Sequence, residues 1–310
     1  MKNRAISLFF LFFLSCLFAS GCHSGKNNPV NEIPQEQRIS PRGWFNAGVA
    51  WNKSGDHDRA IESYNKAVDS DPLYTSAYFY RAGTWEQKGM TDKAIADYTR
   101  VIKLNPELEN AYSRRGNVWQ VKGNLDRAIA DYTKILKLNP RDADAYHNRG
   151  NAWGRKGNYK KAVADFNRAL KLNPDNPSVY DNRGNAWSRR KNYARAIADY
   201  KKALETDPNF VVSYNNLAWL LATCPKRKYR SGKKALELAR KAVKLNPDAS
   251  TLDTLAAAYA ELGKFDEAVS TVERIIRVLK ERGEPEKKLE TFRLHLKSYK
   301  ARKPWRMKRK

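Results

Sequence analysis

The chain has 310 residues, enough for two ordinary domains or one long repeat array. Apolar residues make up 41% and aromatics 11%, which suits a thin, elongated body and argues against one thick core. Lysine and arginine number 59 against 33 acids, and the resulting formal charge of +26 favours anionic partners such as acidic proteins, anionic lipid or nucleic acid.

Lys2 and Arg4 precede an apolar run from Ala5 to Ala19, the pattern of an export signal. The run falls short of the roughly 20 residues a membrane span needs. Phe18–Cys22, "FASGC", resembles the lipobox of bacterial lipoproteins. That resemblance implies cleavage before Cys22 and acylation of its thiol. Simple cleavage near Ala19–Gly21 and an uncleaved anchor remain alternatives. Residues 22–40 are polar and read as a tether between membrane and body. Cys16 lies in the leader, so with Cys22 acylated only Cys224 is left as a thiol, and the fold must hold without an internal disulfide.

From Pro41 onward the sequence repeats. Prolines at 72, 106, 140, 174 and 208 are spaced by 34 residues. Tryptophans at 51, 85, 119, 153 and 187, tyrosines at 78, 112, 146, 180 and 214, and alanines at 60, 94, 128, 162 and 196 share that period. Each unit reads as two helices. In Ala143–Asn176, Tyr146, Arg149, Gly150 and Trp153 share one helical face. Gly157 stops the first helix, since glycine takes a left-handed cap without strain. Ala162, Phe166 and Ala169 line the second helix, and Pro174 closes it. These positions, with Tyr159, resemble the tetratricopeptide repeat family. The resemblance implies an all-α, right-handed solenoid whose first helices line a concave groove.

Five units are regular: 41–74, 75–108, 109–142, 143–176 and 177–210. A sixth, 211–248, carries extra residues within "TCPKRKYRSGKK". A seventh, 249–283, lacks the closing proline. A last helix within 284–303 has a stripe of Leu289, Phe292, Leu296 and Tyr299 and reads as a cap on the open apolar end. A basic tail, 304–310, follows.

The repeated glycines Gly116, Gly150 and Gly184 are expected to let paired helices approach, and the tryptophans to fill the core. Arg81, Arg115, Arg149 and Arg183 lie on the inner face, and Asp97, Asp131, Asp165 and Asp199 recur 16 residues later. Repeats one and six lack both partners, which suggests internal ion pairs. Asn117, Asn151 and Asn185 lie opposite the core face, with Asn148, Asn182 and Asn216 beside them. An amide offers donors and an acceptor to a peptide backbone. Phe45, Phe79 and Tyr80 take that face in repeats one and two and could receive an apolar anchor. The alternative is that these asparagines are soluble fillers copied by duplication. Some relatives clamp acidic tails with cations beside such asparagines. Here Ser113, His147, Ser178 and Asp181 stand in those places, so that clamp is missing.

Lys226, Arg227, Lys228, Arg230, Lys233 and Lys234 crowd the insertion without an acid. They and the tail read either as solvated surface or as a patch for anionic headgroups or an acidic partner, with Trp305 dipping into the interface. No phosphate loop, nucleophile elbow or metal spacing is present, and His23, His57, His147 and His295 are scattered. The sequence therefore implies no enzyme and no cofactor. It points to an envelope scaffold that binds an extended protein segment in its groove. The alternative is a polyanion-binding protein, with nucleic acid as the ligand only if the export signal is false.

Overall fold

The structure is a computed structural model that describes residues 39–307. The leader, Cys22 and residues 23–38 of the tether lie outside the described residues. Fifteen α-helices and no strand occur among the described residues. They pair in sequence: α1 (Pro41–Lys53) with α2 (His57–Ser70), α3 (Thr75–Gln87) with α4 (Thr91–Leu104), α5 (Glu109–Val121) with α6 (Leu125–Leu138). Next come α7 (Ala143–Arg155) with α8 (Tyr159–Leu172), α9 (Pro177–Arg189) with α10 (Tyr193–Thr206), and α11 (Val211–Thr223) with α12 (Gly232–Leu245). The last pair is α13 (Ala249–Glu261) with α14 (Phe265–Glu281), against which α15 (Glu286–Lys300) packs. Each second helix also packs on the first helix of the following pair, which makes an all-α solenoid.

Local chemistry explains the units. Asp56, Asn124, Asn158 and Asn192 accept a backbone N–H of the first turn and start the second helices. Gly157 turns the chain with φ of 84°, whereas Lys191 does the same work in repeat five with φ of 61°, a conformation side chains adopt with strain. A Cβ on Gly150 would stand 2.7 Å from the Phe166 ring, and one on Gly184 2.7 Å from the Tyr200 ring. These glycines therefore set the helix spacing within a repeat.

Four of the five repeated tryptophans pack in or against the core as expected, but most keep one part open. Trp119 is buried, but Trp51 is 38% exposed and Trp85, Trp153 and Trp187 are half-buried. Each lies beneath a cation of its own repeat's second helix. Arg59, Lys93, Arg127, Lys161 and Arg195 sit 4.2–4.7 Å from the ring centroids. The ring is wide enough to pack one edge inward and keep a face for the cation. The small residues Ala60, Ala94, Ala128, Ala162 and Ala196 and the rings of Tyr64, Tyr98, Tyr132, Phe166 and Tyr200 form the buried layer instead.

The insertion lies between α11 and α12, where Arg227–Tyr229 form one 3-10 turn. Its place in the fold corrects one reading of the basic run. Lys226, Arg227, Lys228, Lys233 and Lys234 are exposed, but Arg230 turns inward to Glu261 at 2.9 Å and to the Cys224 carbonyl at 3.0 Å. Cys224 is fully buried. Trp305 does not face outward either. Its ring packs 4.5 Å from the buried His295.

Candidate functional site

The inner arginines are held before any ligand is considered. Arg149 donates Nε and Nη2 to the two carboxylate oxygens of Asp165, each at 2.8 Å, and Nη1 to Thr133 Oγ1 of the preceding repeat at 3.1 Å. Arg81, Arg115 and Arg183 repeat the pattern with Asp97, Asp131 and Asp199, and with Asn65, Thr99 and Asn167 behind them. The ion pair within a repeat matches the 16-residue spacing. The third bond ties each repeat to its predecessor, and its partners Asn65, Thr99, Thr133 and Asn167 also recur every 34 residues, each 16 residues before its arginine.

The first helices present the asparagines on one face. Asn151, Asn182 and Asn185 line a single depression of about 600 Å³ together with Arg155, Phe166 and Arg189. Asn117 is exposed on α5, and Asn148 is half-buried on α7. The amides are not all free. The Tyr132 hydroxyl donates to Asn117 Oδ1 at 2.6 Å, and the Tyr200 hydroxyl donates to Asn185 Oδ1 at 2.8 Å. Asn185 also donates to Asp181 at 3.0 Å, and Asn182 pairs with His147 Nε2 at 2.9 Å. Asn216 is taken up by the packing, since its amide donates to both oxygens of Asp181.

Asp181 organises this part of the face. It is 2% exposed and accepts from Ser213, Asn185 and Asn216 with no cation paired to it. Burial pushes its carboxyl above the usual carboxylate range. Burial also lowers the His147 imidazole, so the neutral ring can accept the Asn182 amide.

Repeats one and two place Phe45, Phe79 and Tyr80 together. Phe45 and Tyr80 meet edge-to-face with centroids 5.2 Å apart, and Phe79 packs on Tyr98 at 5.5 Å. Tyr80 remains 47% exposed, so this end of the face is aromatic where the middle is polar.

The far end is filled by the chain itself. Asp253 on α13 occupies the position equivalent to His147 and Asp181, and it pairs with His295 of α15 at 2.8 Å. Beyond α15 the chain turns back. Met307 N–H donates to the Thr223 carbonyl at 3.0 Å, and Arg306 donates to the Ala222 carbonyl at 3.1 Å. Arg306 also meets Glu261, which Arg230 already holds. Trp219, standing where repeats three to five carry Asn117, Asn151 and Asn185, packs against His295. The open face therefore spans repeats one to five. Nothing in the tail's composition announced this return; the one hint was the loss of asparagine at Trp219 and Ala257.

Tetratricopeptide repeat profiles match residues 39–75, 53–109, 109–142, 143–176, 179–210, 199–236 and 249–281. The chain belongs to the tetratricopeptide repeat family. Among solved structures, a tetratricopeptide repeat protein from Parabacteroides merdae is 17% identical, with a TM-score of 0.67 over 84% of this chain and 98% of that one. The MamA protein is 24% identical, with a TM-score of 0.52 over 55% of this chain and 92% of that one. YrrB, described as a TPR protein with an unusual peptide-binding site, is 18% identical, with a TM-score of 0.52 over 58% and 93%. No curated protein matches the sequence.

Proposed function

We propose that this protein is a non-enzymatic scaffold of the bacterial cell envelope that holds an extended segment of a partner protein along its first helices. The observation that carries the reading is the depression shared by Asn151, Asn182 and Asn185, where α7 and α9 present amides at one register. An extended backbone has N–H and C=O groups unpaired on both edges, and amide side chains satisfy either kind. The aromatic end formed by Phe45, Phe79 and Tyr80 supplies an apolar anchor for the same segment.

The test is recovery of partners from an envelope extract by the tagged chain and by a variant with Asn117, Asn151 and Asn185 all changed to alanine. The reading expects the variant to lose partners that the parent recovers. Equal recovery by both would remove this face from the account. The envelope assignment rests on the leader and on Cys22. Incorporation of a fatty-acid probe that disappears in Cys22→Ala supports it, and recovery of an unlabelled protein from cytosol defeats it.

A second reading is favoured by the exposed Lys226, Arg227, Lys228, Lys233 and Lys234. They lie between α11 and α12 and in the first turn of α12, and would meet anionic headgroups. Sedimentation with phosphatidylglycerol vesicles that survives neutralisation of these five residues would discard it.

A further inference from the structure

An ion-pair ladder runs along the turns that join the paired helices. Lys88 meets Asp58, Lys122 meets Asp92 and Lys156 meets Asp126, each lysine reaching an acid of the preceding repeat. The next rung would join Arg190 to residue 160, but that residue is Lys160. Two cations therefore stand where three earlier rungs hold an opposite pair. Both line one depression of about 630 Å³ together with Lys156 and Lys161, and no acid lines it.

The acid is missing beyond that rung as well. Asp58, Asp92 and Asp126 lie in the first turns of α2, α4 and α6, whereas α8 and α10 have no acid there. Residues 145–164 and 182–198 include no aspartate or glutamate. Lys160, Lys161, Arg190, Lys191 and Arg195 are exposed and make no ion pair among the described residues. Like charges held side by side repel, and an anion from outside relieves them.

We infer that the turn edge of repeats four and five docks on the phosphate groups of an anionic lipid bilayer, with Lys160, Lys161 and Arg190 at its centre. The inference shares the headgroup ligand with the second reading above but assigns it to other residues. Cations from neighbouring turns meet a sheet of headgroups side by side, and each adds its own attraction. A single-stranded nucleic acid stacks its bases on open aromatic rings. Here Lys161 covers Trp153 at 4.2 Å, and Arg190 and Arg195 cover Trp187 at 4.8 and 4.7 Å.

Vesicle sedimentation tests it on residues 22–310 with Cys22→Ala, so that no acyl chain anchors the protein. The parent should sediment with vesicles of phosphatidylglycerol and phosphatidylcholine and not with phosphatidylcholine alone. Lys160→Gln with Lys161→Gln and Arg190→Gln should weaken binding about thirtyfold or more, since each cation at the surface contributes about fivefold. Lys103→Gln with Lys137→Gln and Lys171→Gln removes the same charge from the exposed last turns of α4, α6 and α8, and should weaken it less than about threefold. Lys160→Asp rebuilds the missing rung with Arg190. It should weaken binding about tenfold or more with no fall in Tm, which separates lost docking from lost folding.

Equal losses in the two triple variants, or a Lys160→Asp chain that binds like the parent, would overturn the proposal. So would a thirty-nucleotide oligothymidine that strips the protein from the vesicles at equal phosphate concentration. If changes at Lys226, Arg227, Lys228, Lys233 and Lys234 release the protein and those at the turn edge do not, the insertion reading stands and the turn edge falls. If the parent ignores both kinds of vesicle, both fall.

Discussion

An arginine turned into a helical stack is stable only while its partner stays. Arg149 is bound by Asp165 and Thr133, and its side chain is 19% exposed. Arg149→Leu strands a buried carboxylate and should destabilise the chain by roughly 2–4 kcal/mol in urea unfolding. Arg149→Leu with Asp165→Leu should recover most of that loss, because replacing both ions removes the desolvation penalty with the pair. A single variant as stable as the parent would mean the pair does not hold the repeat. His147 adds a dependence on pH. Burial holds its imidazole below the ordinary value of 6.5, against the opposing pull of Asp144. The unfolded chain then binds more protons just below that value, so stability falls as pH drops through it. Unfolding at pH 7.5 and 5.5 should show this loss, and His147→Gln should show a smaller one. An undiminished loss in the variant would assign the effect to other groups. The arginine pair was readable because its partners recur at one spacing and are missing together. The tyrosine caps were not read, although the change from Tyr132 and Tyr200 to Phe166 stands in the sequence, because their meaning depends on the distance between paired helices.

At the scale of elements, the 34-residue beat fixes the helix pairs, since every period asks the same work of glycine, alanine and proline. The tryptophans were read as core because helical spacing reports which face a residue occupies and not how deep it lies. Each keeps a cation of the second helix over its ring. The last helix and tail are another case. The stripe on α15 was legible, and Leu289 and Tyr299 are buried. The return of Trp305, Arg306 and Met307 onto α11 and α13 was not, because a single non-periodic segment docks by tertiary fit. A chain ending at Lys303 loses the Trp305–His295 contact and both Arg306 bonds. It should melt several degrees lower, the shift expected for a loss of about 2 kcal/mol in a chain this size. A melt that matches the full chain would show the tail to be a passenger.

The whole molecule divides along its length. Repeats one and two give an aromatic end, three to five a polar face with amides, and six and seven a face filled by the C-terminus. The high positive charge spreads over this body, while the inner arginines are neutralised in place. Charge alone therefore does not single out one surface. The most direct test places a photo-crosslinking amino acid at Asn151, on the polar face, and separately at Lys171, exposed on α8. The account predicts partner adducts from position 151 and none from position 171. Adducts from 171 with none from 151 would contradict it.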